Sequence, residues 1–233
     1  MKFGVLRFPG SCDELDALQA ASRVGDAELV WHGDADLRGA DAIIVPGGFS
    51  YGDYLRAGAI ARFSPVMESV IAFAREGGLV LGICNGFQIL CEAHLLPGAL
   101  LVNANRRFTF RQVQVEVVNA ATPFTRGCTQ GQRLSIPAKH SWGRYYADER
   151  TLEQMQARGQ LVLRYAPEDN FNGSLRDIAG VCNEAGNVLG LMPHPEHAVD
   201  ELSGSSDGLL IFESMRLALQ SGPAAGTGIA SAA

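Results

Sequence analysis

One short stretch limits the folds open to this chain more than any other. Leu79-Val80-Leu81 is an apolar run, and it leads into Gly82-Ile83-Cys84-Asn85-Gly86. Phe87-Gln88-Ile89-Leu90-Cys91 follows at once, with a pattern that suits a helix. A strand therefore feeds a one-residue corner, and the corner feeds a helix. Glycines two before and two after Cys84 let neighbouring backbone come close where a Cβ would clash. The corner lifts the Cys84 side chain over the C-terminal edge of a sheet. It also sets Cys84 at a helix N-terminus, where partial positive charge favours a thiolate and free N–H groups can hold an oxyanion. Glycine spacing of this kind is that of a nucleophile elbow, G-x-S-x-G, with sulfur in place of oxygen. Alone it has a plainer reading, since a lone cysteine is often a small buried hydrophobe.

The N-terminal half repeats the strand–helix theme. Lys2–Phe8 reads as a strand, and Pro9-Gly10-Ser11-Cys12-Asp13 turns it into a helix over about Asp13–Val24, capped by Ser11 or Asp13. Glu28–Trp31 is a short strand. Asp41–Pro46 is a continuous apolar run of the kind buried on both faces of a parallel sheet. Ser64–Glu76 has helical periodicity, and Leu79–Ile83 is the fourth strand. Alternation of this kind predicts an α/β fold with a mostly parallel central sheet flanked by helices. After residue 100 the pattern changes. Phe108–Val118 alternates polar and apolar, as an antiparallel strand does. Leu134–Ile136 and Leu161–Tyr165 read as further strands, and Asp148–Arg158 as a surface helix. Ile178–Asn183 and Asn187–Met192 flank a hairpin turn. Ser206–Leu219 is the last helix, with Ser205 or Ser206 as its cap. The expectation is one domain over residues 1–220 and a disordered tail over 221–233.

Composition narrows the function classes. Net charge is −6, from 19 basic and 25 acidic residues, which argues against a nucleic-acid surface built on bulk positive charge. Hydrophobic residues make up 47% of the 233, enough for a sizeable core. The five cysteines are odd in number and form no C-x-x-C pair, so a reducing compartment fits. No signal peptide or membrane span is read, and the cytoplasm is the expected location.

Two other segments complete a chemical constellation. Met192-Pro193-His194-Pro195-Glu196-His197 follows the hairpin strand, and its prolines fix the backbone on both sides of His194. If the segment stays extended, His194 and Glu196 share one side. A base held by a carboxylate supplies what Cys84 needs: a proton acceptor, and a group that fixes the imidazole tautomer. Pro46-Gly47-Gly48-Phe49 lies where the third strand ends, the edge where sites form in open α/β sheets. Gly47 and Gly48 can present backbone N–H to an oxyanion, with the N–H of Asn85 as second donor. The pattern expects no metal.

In this order, the three segments resemble those of the class I (triad) glutamine amidotransferases. Longer strings, Gly47–Ala59, Gly82–Leu90, Asn172-Gly173-Ser174 with Asp177–Gly180, and Pro193–Glu196, are similar to the glutaminase subunits of phosphoribosylformylglycinamidine synthases. The likeness runs from Phe3 to about Leu219. It implies a flavodoxin-like three-layer sandwich and a Cys84–His194–Glu196 triad that hydrolyses L-glutamine. Gln88, one turn after Cys84, would help hold the substrate. Two departures stand out. His197 replaces the usual Arg after Pro-Glu, and His140-Ser141-Trp142-Gly143 replaces a common His-Gly-Glu-Gly, in a loop that would line the glutamine pocket or the partner interface. No G-x-x-x-x-G-K-[ST] run is present. The ATP and magnesium of such a synthase are thus expected on a large synthetase subunit, assisted in some systems by a small accessory subunit. Glutaminases of other synthases, non-glutamine hydrolases or chaperones with a cysteine elbow, and a non-catalytic regulatory subunit are the competing readings.

Overall fold

A computed structural model describes residues 1–221, so the expected disorder of the tail falls almost wholly outside the described residues. Among the described residues there are eleven strands: β1 (Lys2–Arg7), β2 (Asp26–Trp31), β3 (Ala42–Val45), β4 (Leu79–Ile83), β5 (Ala99–Leu101), β6 (Thr109–Val117), β7 (Arg133–His140), β8 (Arg144–Tyr146), β9 (Leu161–Tyr165), β10 (Ile178–Cys182) and β11 (Val188–Leu191). The helices are α1 (Glu14–Ser22), α2 (Pro65–Arg75), α3 (Asn85–Glu92), α4 (Glu149–Ala157) and α5 (Leu209–Gln220).

Nine strands form one sheet in the order β2-β1-β3-β4-β11-β10-β9-β6-β7. The first five are mutually parallel. The remaining neighbours pair antiparallel, so only β10 and β6 run against the other seven. The parallel strands β3 and β4 are buried along their whole length, as continuous apolar runs require. β11 adds to that parallel half through the hairpin with β10, pairing Gly190 with Gly82. α1 packs against α5, while α2 and α3 both meet the turn at Ala61–Phe63. Right-handed crossovers place these two helix groups on opposite faces, giving three layers. Among the described residues no helix is long and apolar enough to cross a membrane.

Several boundaries differ from the sequence reading, each for a tertiary reason. Asp13 stands at the N-cap of α1, but its side chain makes no capping bond; it turns into the site described below. Ser11 accepts from the Phe8 N–H instead of capping. α5 starts at Leu209, later than expected, and neither Ser205 nor Ser206 caps it. The Asp207 carboxylate there accepts from the Ser135 N–H at 2.7 Å, and a Cβ on Gly208 would lie 2.2 Å from the Pro195 carbonyl oxygen. The first turn of α5 thus fits against the segment that carries His194. β7 is longer than the short strand expected at Leu134–Ile136, because it pairs along almost all of β6. The small β5–β8 sheet has no local signature in the sequence.

Candidate active site

The loops at the C-terminal ends of β1, β3, β4 and β11, with the end of β7, enclose one cleft of about 180 Å³. Cys84 sits at the corner between β4 and α3 with φ 50° and ψ −102°, a conformation that costs a non-glycine residue of order 1–3 kcal/mol. The surroundings enforce it. The Cys84 N–H donates to the Leu191 carbonyl at 2.8 Å, and its carbonyl closes the first turn of α3 by accepting from the Gln88 N–H. A Cβ on Gly86 would lie 1.9 Å from the Val45 carbonyl oxygen, so only glycine lets α3 sit this close to β3. The first N–H groups of α3, including that of Asn85, have no partner within the helix.

His194 arrives from the other side. Its N–H donates to the Pro137 carbonyl at 2.8 Å, fixing the segment to β7. Nδ1 meets Glu196 Oε1 at 2.6 Å, and both side chains are buried. With Nδ1 so engaged, Nε2 is the ring nitrogen left for chemistry. It is buried and makes no hydrogen bond among the described residues. Both Cys84 and His194 line the cleft. Catalytic hydrogen bonds of this type commonly shorten only when substrate is bound. Burial pulls the imidazole toward its neutral form, but the charge of Glu196, with Cys84, outweighs burial and raises the pKa of His194.

A second carboxylate faces the same imidazole. Asp13 is 4% exposed, and its Oδ2 lies 3.7 Å from His194 Nδ1. Oδ1 accepts from Lys139 Nζ and lies 3.2 Å from His197 Nε2. Burial opposes the charged form of Asp13, yet His197, His194 and Lys139 together hold it well below the usual carboxylate range. Donor atoms of Asp13, His194, Glu196 and His197 come within 4.8 Å of one another, and the Lys139 ammonium sits on Oδ1 of Asp13 as the cation of this cluster. The sequence reading missed Asp13 and Lys139 as parts of the site. The one available signal for Asp13 was its place at the sheet edge, at the end of the turn that joins β1 to α1.

This network gives a stability prediction. Asp13→Asn leaves Lys139 and His197 beside a neutral group and should destabilise the protein by about 2 kcal/mol at neutral pH. The folded-state pKa lies below the ordinary 3.8, so the wild-type advantage is present above about pH 4. It is lost as pH falls from there toward the folded value. Denaturant titrations of both proteins at neutral pH and at about pH 3 check it. A gap that fails to narrow at the lower pH would disprove the charge assignment.

The strap after β3 is clamped onto the turn after β1. The Gly47 carbonyl accepts from Cys12 and Asp13, and the Phe49 N–H donates to Gly10 at 2.8 Å. Gly48 has φ 142°, and a Cβ there would meet the Cys12 nitrogen at 2.6 Å. Gly48 lines the cleft, whereas Gly47 packs beneath it against Asp13 and His194. Gln88 also lines the cleft, with its side-chain nitrogen on the Trp142 carbonyl and its oxygen on Asn85. Burial, with the charge of His194, pushes His140 down to about 3, so this lining residue is neutral. Its Nδ1 meets Asn103 Oδ1 at 3.0 Å.

A cysteine on a strand-to-helix corner, a histidine–glutamate pair after a late hairpin, and a glycine strap across the cleft define the class of the glutamine amidotransferases. Residues 1–214 match the family of the CobB/CobQ-like glutamine amidotransferase domain. The chain is 58% identical to phosphoribosylformylglycinamidine synthase subunit PurQ of Rubrobacter xylanophilus over 216 residues, 92% of this chain and 97% of that one. It is 57% identical to the same subunit of Thermus thermophilus over 219 residues, 91% of this chain and 96% of that one. A solved structure of PurLQS from Thermotoga maritima matches with a TM-score of 0.86 and 43% identity, covering 94% of this chain and 98% of that one. The chain belongs to the PurQ family.

Proposed function

We propose that this chain, through a domain spanning residues 1–220, hydrolyses L-glutamine to glutamate and ammonia. The ammonia passes to a large synthetase subunit, aided by a small accessory subunit, for ATP-dependent conversion of formylglycinamide ribonucleotide to formylglycinamidine ribonucleotide. The observation that carries the reading is the pairing of Cys84 on a strained corner with His194 held by Glu196, both at one cleft. Sulfur attacks the side-chain amide carbon, and the oxyanion rests on the N–H groups of Gly48 and Asn85, with Gly47 supporting the strap. His194 takes the thiol proton and gives it to the departing nitrogen, which leaves as ammonia. Glu196 keeps the ring oriented and stabilises its charged form. Water then cleaves the γ-glutamyl thioester, with His194 as base, and the thiol is restored.

ATP and magnesium belong to the synthetase in this reading, and this chain carries no cofactor. Partner docking has physical support in the exposed aromatic rim. Phe49, Phe108 and Trp142 line the cleft yet are 47%, 54% and 40% exposed. Apolar side chains grouped this way mark an interaction surface. All five cysteines are free thiols, in keeping with a cytoplasmic location. Ammonia release from glutamine should rise when the synthetase, ATP and formylglycinamide ribonucleotide are added. An unchanged rate would refute the coupling, and no release under any condition would refute the glutaminase assignment.

A further inference from the structure

Glutamine brings more than an amide to the cleft. It also carries an α-ammonium, which needs an anionic acceptor once it leaves water. Two carboxylates line the cleft, Asp13 and Asp53. The oxygens of Asp13 are committed to Lys139, His197 and His194. Asp53 differs. Its Oδ1 accepts from Asn85 Nδ2 at 3.2 Å, and no Lys, Arg or His among the described residues forms an ion pair with it. Its surroundings fix it in place. Asn85 also accepts from the Ser50 N–H at 3.0 Å and donates to Gln88 at 2.9 Å, so Asp53, Asn85 and Gln88 form one chain of hydrogen bonds along the cleft. The backbone at Asp53 has φ 52°, between Gly52 at φ 70° and the next positive-φ residue, Leu55, at 72°. Aspartate tolerates this region better than most side chains. The loop is therefore shaped to hold this carboxylate at the cleft wall.

We infer that Asp53 receives the α-ammonium of the amino-acid substrate while Cys84 attacks the amide at its other end. The inference rests on the glutaminase reading. Burial pushes Asp53 up to about 6, even though Asn85 donates to it. A bound ammonium would supply the missing counter-charge and favour the carboxylate. Asp53 is then a binding residue that selects an α-amino acid over a simple amide. Asn85 links it to the backbone N–H proposed to hold the oxyanion.

The test compares glutamine with glutaramate, its analogue without the α-amino group, in wild-type chain and Asp53→Asn. Asparagine keeps the shape, tolerates positive φ and can still accept from Asn85. Both are assayed as the full chain with the synthetase subunit, and equal melting temperatures establish that the variant is folded. A charged hydrogen bond lost should lower kcat/KM for glutamine about 10- to 100-fold, mainly through KM, and far less for glutaramate. The wild-type preference for glutamine over glutaramate should shrink by the same factor. An equal loss on both substrates makes Asp53 merely structural and overturns the inference. So does a wild-type chain that shows no preference. A wild-type chain that turns over neither substrate fails the glutaminase reading instead, and the inference with it.

Discussion

Replacement of Cys84 by alanine is expected to abolish glutamine hydrolysis while the protein folds as before. Loss of a covalent nucleophile typically costs on the order of 10⁴- to 10⁶-fold in turnover, about 5.5–8 kcal/mol of barrier. The structural cost is small by comparison. The Cys84 thiol has one weak polar contact, 3.9 Å from the Lys139 carbonyl, and the strained φ is the same for alanine. Removing one buried sulfur costs about 1 kcal/mol, or about 2–4 °C in a chain of this size. Ammonia release and a thermal melt on the same sample check both halves. Turnover within tenfold of wild type would end the nucleophile assignment.

The same thiol should be singled out chemically. Burial raises the pKa of Cys91, Cys128 and Cys182, the last to about 11, and unlike Cys84 none of the three lines the cleft. Cys12 is the informative control, because it is exposed and lines the same cleft. Partial burial and the charges of Asp13 and Glu14 push its thiol up as well. A glutamine-like electrophile is therefore expected to label Cys84 first. Matching rates at Cys12 and Cys84 would show that the corner confers no special reactivity.

The parts of the fold that were legible in sequence are those whose signal is local. Ala42–Val45 and Leu79–Ile83 are apolar on both faces because helices cover both sides of the parallel sheet, and that reads directly as an unbroken hydrophobic run. The Cys84 corner was legible because glycine at 82 and 86 has a steric cause that spacing alone betrays. Pairing between distant strands was not. Nothing near Val188–Leu191 says that it lies beside β4, yet that pairing brings His194 to Cys84. Asp13 shows the limit most clearly. Its position after a strand and before a helix is that of a cap, and local rules place it there. Lys139 lies 126 residues further on, and together with His197 it draws the carboxylate into the site. Asp53 was hidden differently, since its claim rests on which cleft groups lack a counter-charge, a property of the assembled site alone.

The corner should be as demanding sterically as it is chemically, and Gly86→Ala isolates that demand. Gly86 sits inside α3, where alanine on its own would favour the helix by about 1 kcal/mol. The added Cβ would lie 1.9 Å from the Val45 oxygen and 2.6 Å from the Val45 carbonyl carbon. Both are backbone atoms of a fully buried strand, so no rotamer change relieves the overlap. α3 must retreat from β3 and leave poorly packed space behind it. The overlap outweighs the helix gain, and a net loss of about 3–5 kcal/mol is expected. Gly186→Ala supplies the contrast. That glycine has φ 76° with nothing within 4 Å of a Cβ, so only backbone strain of about 1–2 kcal/mol opposes the change. Denaturant titration of the two variants separates the effects. Gly86→Ala should also cost activity in the molecules that still fold, because the retreat of α3 moves the Asn85 N–H away from Gly48. Equal stability of the two variants would show that the corner can relax, and that the approach of α3 to β3 does not depend on glycine.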